Sequence, residues 1–292
     1  MKLAPEPKRL ITMLAILFMG VLVLVSTEKQ QPPIKEMASI NIPEPEIRAH
    51  SYLVKFIGED KILIRRREWK KLAPASLTKL LTALVARQNL LPADWIIFSE
   101  KAKTVEEKIS TVGVGESLLR DDAIRFALMG SANDAAEAMA EKLGERFLEL
   151  INTEARRIGM SDSSFRNATG LDTEEHYSTA LDLAKLAEYI WQNQPALWEM
   201  TRNTEAEVYS DTFNKYEIKT TNELLEEFPE ILGGKTGFTD KARGTLILLY
   251  PVYPALMDKG GVKDKVAVIV ILGSTDRFSD GRAIINWLRD NF

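Results

Sequence analysis

Cysteine is absent from the 292 residues, and histidine occurs only twice, at His50 and His176. Without cysteine there is no disulfide framework, no thiolate zinc site, no cysteine nucleophile and no lipid-modified N-terminal cysteine. Two histidines cannot supply a three-histidine metal site, and any Ser-His-Asp triad would have to draw on one of them. A strong charge of either sign is also missing. With 38 basic and 42 acidic residues and a net charge of −4, nothing points to nucleic acid as a partner, and the scattered charge reads as a solvated surface. No repeat period is present. The 45% hydrophobic and 27% charged residues are those of an ordinary globular chain, long enough for one large domain or two small ones.

What is present begins with a basic stretch, residues 1–9 with Lys2, Lys8 and Arg9, followed by an apolar run from Leu10 to Val25. That run sits at the boundary between a signal-peptide core and the roughly 17–25 residues that span a bilayer. The basic flank places residues 1–9 in the cytoplasm and the remainder outside. No small-x-small cleavage pattern follows, so residues 10–26 read as an uncleaved membrane anchor, with a cleaved signal as the alternative. Residues 27–46, with Pro32, Pro33, Pro43 and Pro45, read as a semi-extended linker.

A working domain is expected over residues 47–292. Tyr52–Ile57 and Lys61–Arg67 flank Gly58-Glu59-Asp60 and suggest a β-hairpin. Apolar periodicity marks helices at Asp121–Met129, Ala135–Leu143, Arg146–Ile158 and Thr179–Trp191, within a helical subdomain over about 95–200. Strands return at Ile231–Phe238, Thr245–Tyr250 and Val266–Leu272, and Asp280–Phe292 closes the chain as an amphipathic helix. The last two strands are nearly continuous apolar runs, as expected for strands covered on both faces. The fold class is therefore α/β (α+β): an antiparallel sheet built from both chain ends, with flanking helices and an inserted all-helical subdomain.

Three short motifs carry chemistry. Pro74-Ala75-Ser76-Leu77-Thr78-Lys79 opens a helix that is apolar almost all round through Val85 and Ala86, with Ser76 and Lys79 three apart on one face. Ser131-Ala132-Asn133 lies at a break between two helices, and Lys235-Thr236-Gly237 begins a strand after Gly233-Gly234. A serine hydroxyl needs a base. His50 precedes the first hairpin and His176 sits in a polar loop that suggests a surface or hydrogen-bonding residue, so Lys79 is the better base. Burial and the charge of a nearby Lys235 would depress its pKa, as that role requires.

Plainer readings exist. Ser26-Thr27-Glu28-Lys29 and Ser39-Ile40-Asn41 repeat two of the patterns where no pocket is expected. Ser76 could be a helix cap with Lys79 solvated, and Ser131 and Asn133 could cap the helix from Asp134. A phosphate loop at Gly233–Thr236 fails, because Pro229 stands where that motif needs glycine.

Order, spacing and context favour catalysis. The three motifs occur in the order seen in class A β-lactamases and penicillin-binding proteins. Together with Ser131-Ala132-Asn133-Asp134-Ala135-Ala136, Phe165-x-Asn167-x-x-Gly170-Leu171-Asp172 and Gly234-Lys235-Thr236-Gly237-Phe238-Thr239, they resemble the D-alanyl-D-alanine carboxypeptidases of the low-molecular-mass penicillin-binding proteins, from about Ile47 onward. The resemblance implies a β-lactamase/DD-peptidase-like fold and hydrolysis of the terminal D-alanine of peptidoglycan stem peptides through an acyl-enzyme, with no cofactor and no metal. β-Lactams would be covalent inhibitors, and the membrane would be reached through residues 10–26.

It also implies roles: Ser76 as nucleophile, Lys79 as its base, and Ser131 as proton relay to the leaving amine. Asn133 would donate to the substrate backbone or fix Lys79, and Lys235 and Thr236 would hold the terminal carboxylate. Gly237 would leave room for a peptide along the strand edge, with Phe238 and Thr239 beside it. The oxyanion would be received by the backbone N–H groups of Ser76 and Phe238. Arg243 is a candidate carboxylate ligand, and the Phe165–Asp172 segment a cleft wall.

Two departures stand out. Class A β-lactamases place the glutamate of a Glu-x-x-Leu-Asn pattern where this chain has Asn167, so a penicilloyl enzyme should persist. Many family members also continue into a β-rich domain with a C-terminal anchor. Here only two strands and a helix are expected after Gly237, and anchoring is expected at the N-terminus. The alternatives are a β-lactamase or D,D-endopeptidase of the same fold, or an inactive peptidoglycan-binding module.

Overall fold

The structure is a computed structural model that describes residues 43–107, 110–252 and 265–292. The expected anchor at 10–26 and the linker up to residue 42 lie outside the described residues. Among the described residues no helix is long and apolar enough to cross a membrane. Pro43–Phe292 form one compact unit. Residues 43–46, expected as linker, already contact it: the Trp287 indole donates to the Pro43 carbonyl at 2.9 Å and the Tyr52 hydroxyl to Glu44 at 3.2 Å.

In chain order the strands are β1 (Ser51–Phe56), β2 (Ile62–Arg66), β3 (Trp95–Ile97), β4 (Ser117–Leu119), β5 (Glu205–Tyr209), β6 (Lys215–Lys219), β7 (Gly233–Thr239), β8 (Arg243–Val252) and β9 (Lys265–Ser274). The helices are α1 (Thr78–Asn89), α2 (Glu100–Lys103), α3 (Arg120–Leu128), α4 (Asn133–Leu143), α5 (Phe147–Ile158), α6 (Ala180–Asn193), α7 (Ala196–Glu199), α8 (Leu224–Glu227) and α9 (Arg277–Asn291). The expected hairpin, the four longer helices, the three late strands and the terminal helix are all present.

Strands β2-β1-β9-β8-β7 form an antiparallel sheet in that order, so both ends of the chain meet at its centre. Alternation divides β8 and β9 between two cores. Ile247, Leu249, Val268, Val270 and Leu272 join the buried cluster of α1, α3, α4, α5 and α6, whereas Leu246 and Leu248 lie against Gly281 of α9. Both faces are covered, which is why these strands read as unbroken apolar runs.

Helix α1 runs through that cluster with every residue from Thr78 to Ala86 buried, packed by α3, α4 and α5. Ser76 itself precedes the α-helix, in a 3-10 turn over Ala75–Leu77. Two paired segments were not legible as strands: β3–β4 is only three residues long, and β5–β6 carries more charge than a typical strand. In β5–β6 the charges alternate outward, with Lys215 bridging Glu207 at 2.6 Å, while Val208 and Ile218 are buried.

The Ser76 turn is clasped between two glycines. Gly170 has φ +88°, and a Cβ there would overlap the Ala75 carbonyl. A Cβ on Gly237 would lie 2.8 Å from the Ser76 nitrogen and 3.0 Å from Ala75 Cβ. The absent side chain at Gly237 thus admits the Ser76 turn to the edge strand β7, where the sequence suggested room for a peptide. Gly170→Ala combines left-handed strain with a backbone clash, and is expected to destabilise the domain by about 3 kcal/mol or more. Denaturant unfolding checks this; a loss under about 1 kcal/mol would show that the loop and the Ser76 turn are not in register as described.

Candidate active site

All three motifs reach one cleft, each by a different local device. Helix α1 places Lys79 one turn beyond Ser76, and Lys79 Nζ lies 2.9 Å from Ser76 Oγ. Lys79 is fully buried and Ser76 is 8% exposed. The same Nζ donates to Asn133 Oδ1 at 2.6 Å and to the Thr169 carbonyl at 2.7 Å. Asn133 cannot turn its amide the other way, because Nδ2 donates to the Glu106 and Glu107 carbonyls at 2.8 and 3.3 Å. Of the two expectations for Asn133, the structure shows the contact with Lys79, its amide nitrogen being engaged by the 106–107 backbone.

Ser131 sits in the turn between α3 and α4 with φ +59°, a left-handed conformation rare outside glycine. Its buried Oγ accepts from Lys235 Nζ at 2.8 Å, and Lys235 also donates to the Thr236 carbonyl at 2.9 Å. Because that bond uses an oxygen lone pair of Ser131, the hydroxyl hydrogen remains available to a further acceptor. Thr236 Oγ1 meets Thr221 Oγ1 at 2.6 Å. Phe238 is 49% exposed on the edge strand.

The Thr239 hydroxyl donates to Asp172 at 2.9 Å and accepts from the Ala242 N–H at 3.0 Å. It therefore ties the end of β7 to the 165–172 loop. Arg243 opens β8, exposed and opposite Thr239, with φ +59°.

The 165–172 loop packs against the Ser76 turn and α1. Asn167 Oδ1 accepts from the Gly170 and Thr169 N–H groups at 2.7 and 3.2 Å, and its amide donates to the Leu171 carbonyl at 2.9 Å. This Asx-type turn aims the Thr169 carbonyl at Lys79. Thr82 Oγ1 donates to the Ala168 carbonyl at 2.8 Å and fastens the loop to α1.

His176 is not a surface loop residue but 4% exposed. Burial, opposed by Asp172 and assisted by Arg166 and Lys241, lowers its pKa to about 4. Of the two readings of this histidine, surface or hydrogen-bonding, the structure shows the second; sequence reasoning passed over the Thr169 carbonyl and Thr221. A carbonyl carries no side-chain signature, and the polar neighbours of His176 conceal that its ring points inward.

The arrangement offers a hydroxyl in contact with an amine, a second hydroxyl in contact with a second amine, and an open strand edge between them. Chemically that suits acyl transfer.

Comparisons with known proteins cover the part of the chain that holds these motifs. The family model for D-alanyl-D-alanine carboxypeptidase aligns with residues 37–249. The D-alanyl-D-alanine carboxypeptidase DacF of Bacillus subtilis is 31% identical over 224 residues, 74% of this chain and 54% of its own length, so this chain spans about half of that relative. A D-alanyl-D-alanine endopeptidase of Escherichia coli is 26% identical over 282 residues, 93% of this chain and 87% of its own. Among solved structures, a D-alanyl-D-alanine carboxypeptidase from Mycobacterium tuberculosis aligns with a TM-score of 0.74 and 25% identity, covering 85% of this chain and 94% of that one. The family match takes in all three motifs and most of the described sheet, and the chain belongs to the D-alanyl-D-alanine carboxypeptidase family.

Proposed function

We propose that the protein is a serine D,D-carboxypeptidase that removes the terminal D-alanine from peptidoglycan stem peptides, working outside the cytoplasmic membrane and tethered to it through residues 10–26. The observation that carries the reading is the set of contacts at Lys79 Nζ. A neutral amine has two hydrogens, and the Asn133 and Thr169 oxygens at 2.6 and 2.7 Å can receive nothing but those hydrogens. As a neutral base the amine stands 2.9 Å from Ser76 Oγ, within reach of its proton.

The steps follow from this geometry. Lys79 takes the Ser76 proton as Oγ attacks the carbonyl of the penultimate D-alanine. The oxyanion is received by the backbone N–H groups of Ser76 and Phe238. Collapse breaks the peptide bond; the Ser131 hydroxyl passes a proton to the departing amine, and Lys235 and Thr236 hold the leaving residue's carboxylate. Water then hydrolyses the Ser76 ester. A β-lactam enters by the same first steps and leaves slowly, because the position of a deacylating glutamate is filled by Asn167, whose side chain is bound into the loop.

Incubation with benzylpenicillin should add one penicillin mass to the protein, and Ser76→Ala should abolish the adduct. Intact-mass spectrometry reads this directly. Rapid turnover of a chromogenic β-lactam would overturn the reading in favour of a β-lactamase.

Lys79→Ala should slow acylation by about 10²–10⁴-fold, the usual contribution of a general base. Fluorescent-penicillin labelling measures the rate, and near-wild-type labelling would remove Lys79 from the role.

Expressed in a bacterial host, the full chain should sediment with membranes, and a version lacking residues 1–26 behind a cleavable export signal should be soluble outside the cytoplasm. Recovery of the full chain as a soluble, shortened protein would show a cleaved signal in place of an anchor.

A further inference from the structure

His176 lies at the end of a directional hydrogen-bond chain that stops one residue short of the nucleophile. Its Nδ1 is 3.3 Å from the Arg166 backbone nitrogen, which can only donate. Its Nε2 is 2.9 Å from Thr78 Oγ1, whose own hydrogen goes to the Ala75 carbonyl at 2.9 Å. Both ends require the same tautomer, with Nδ1 bare and the proton on Nε2. The Phe165 ring stands edge-on to the imidazole, with centroids 5.6 Å apart, and closes it off from water.

The carbonyl at the end of this chain belongs to Ala75, which has φ +49°. An alanine in that region is strained, so something must hold it there. The Thr78 hydroxyl is one such holder, and a hydroxyl alone can rotate away.

We propose that His176 is a positioning residue for acylation: its Nε2–H fixes the Thr78 hydroxyl in the rotamer that donates to the Ala75 carbonyl, and thereby sets the strained turn that aims Ser76 Oγ. The inference rests on the acyl-enzyme reading of Ser76. Burial holds the ring neutral at physiological pH, so the proton on Nε2 and the bare Nδ1 are both maintained where the enzyme would work. A histidine needed only to fill the core would have no reason to join Ala75 through a hydroxyl, and a shift of the nucleophile by about 1 Å can cost 10²-fold in rate.

Two substitutions separate the ring's two nitrogens. In His176→Asn the amide oxygen can stand in for Nδ1 and accept from Arg166, but no donor reaches Thr78. In His176→Gln the longer amide can place its nitrogen where Nε2 stood and donate to Thr78. Stopped-flow acylation of the full chain by a fluorescent penicillin resolves the binding constant from the acylation rate.

The Asn variant is expected to lose about tenfold in acylation rate with binding unchanged, and the Gln variant to recover to within about threefold of wild type. Thr78→Val should match the Asn variant, and combining the two should cost no more than either alone. Equal losses in Asn and Gln, or losses that add to Thr78→Val, would overturn the proposal. If the Asn variant does not fold, Thr78→Val still decides, since an unchanged acylation rate there removes the link. Failure of wild type to take penicillin on Ser76 would instead sink the acyl-enzyme reading itself. A labelled wild type with unaffected variants would sink only the role of His176.

Discussion

The constraint on which the site depends is that one buried amine must be surrounded by acceptors and still reach a serine. Lys79 is fully buried, and an unpaired amine there would be costly. Its hydrogen-bond partners come from three separate parts of the chain: Ser76 from the turn before α1, Asn133 from the start of α4, and Thr169 from the loop before α6. The contacts that orient Lys79 therefore also hold these three segments together. Stability and chemistry thus make the same demand on these residues.

Around that centre the backbone is held in conformations it would not choose. Ala75, which precedes Ser76, and Ser131, which carries the second hydroxyl, both have left-handed φ without being glycine. Such strain persists only where the surroundings over-determine it. Ala75 is pressed by Gly170 and Gly237 and bonded by Thr78. The Ser131 turn is tied by the Ala132 N–H to the Phe126 carbonyl at 3.1 Å, and the Thr221 N–H reaches the Met129 carbonyl at 3.1 Å. The bonds that hold these turns come mostly from backbone groups and hydroxyls.

That division explains what could be read from sequence. Ser76, Lys79, Ser131, Asn133, Lys235 and Thr236 were legible because their side chains carry the signal and because an i, i+3 spacing on an apolar helix has few structural uses. The two-ended sheet was legible from its unbroken apolar strands. The Thr169 carbonyl was not, since any residue has one. Nor was the bond from Thr239 to Asp172, which joins two segments 67 residues apart. His176 was read as a surface or hydrogen-bonding loop residue, and its burial was hidden because the neighbouring Thr173, Glu174, Glu175 and Tyr177 are polar. The chain runs along the surface there, yet the ring turns inward to Thr78. The β5–β6 pair was hidden by its charge, although the alternation of Glu205, Ala206, Glu207 and Val208 was visible.

Asn167 shows how one position can separate two chemistries on a shared scaffold. A carboxylate there could take a proton from water, but it could not both accept from the Gly170 N–H and donate to the Leu171 carbonyl as the amide does. Replacing the amide by an acid would therefore unmake the turn that presents the Thr169 carbonyl to Lys79. An efficient deacylating acid at this site would require a different loop and a different partner for Lys79 in place of the Thr169 carbonyl. Slow release of a β-lactam, in the proposed function, is then tied to the way this chain orients its lysine: the loop that completes the base's hydrogen bonds is closed by the residue that would otherwise have activated water.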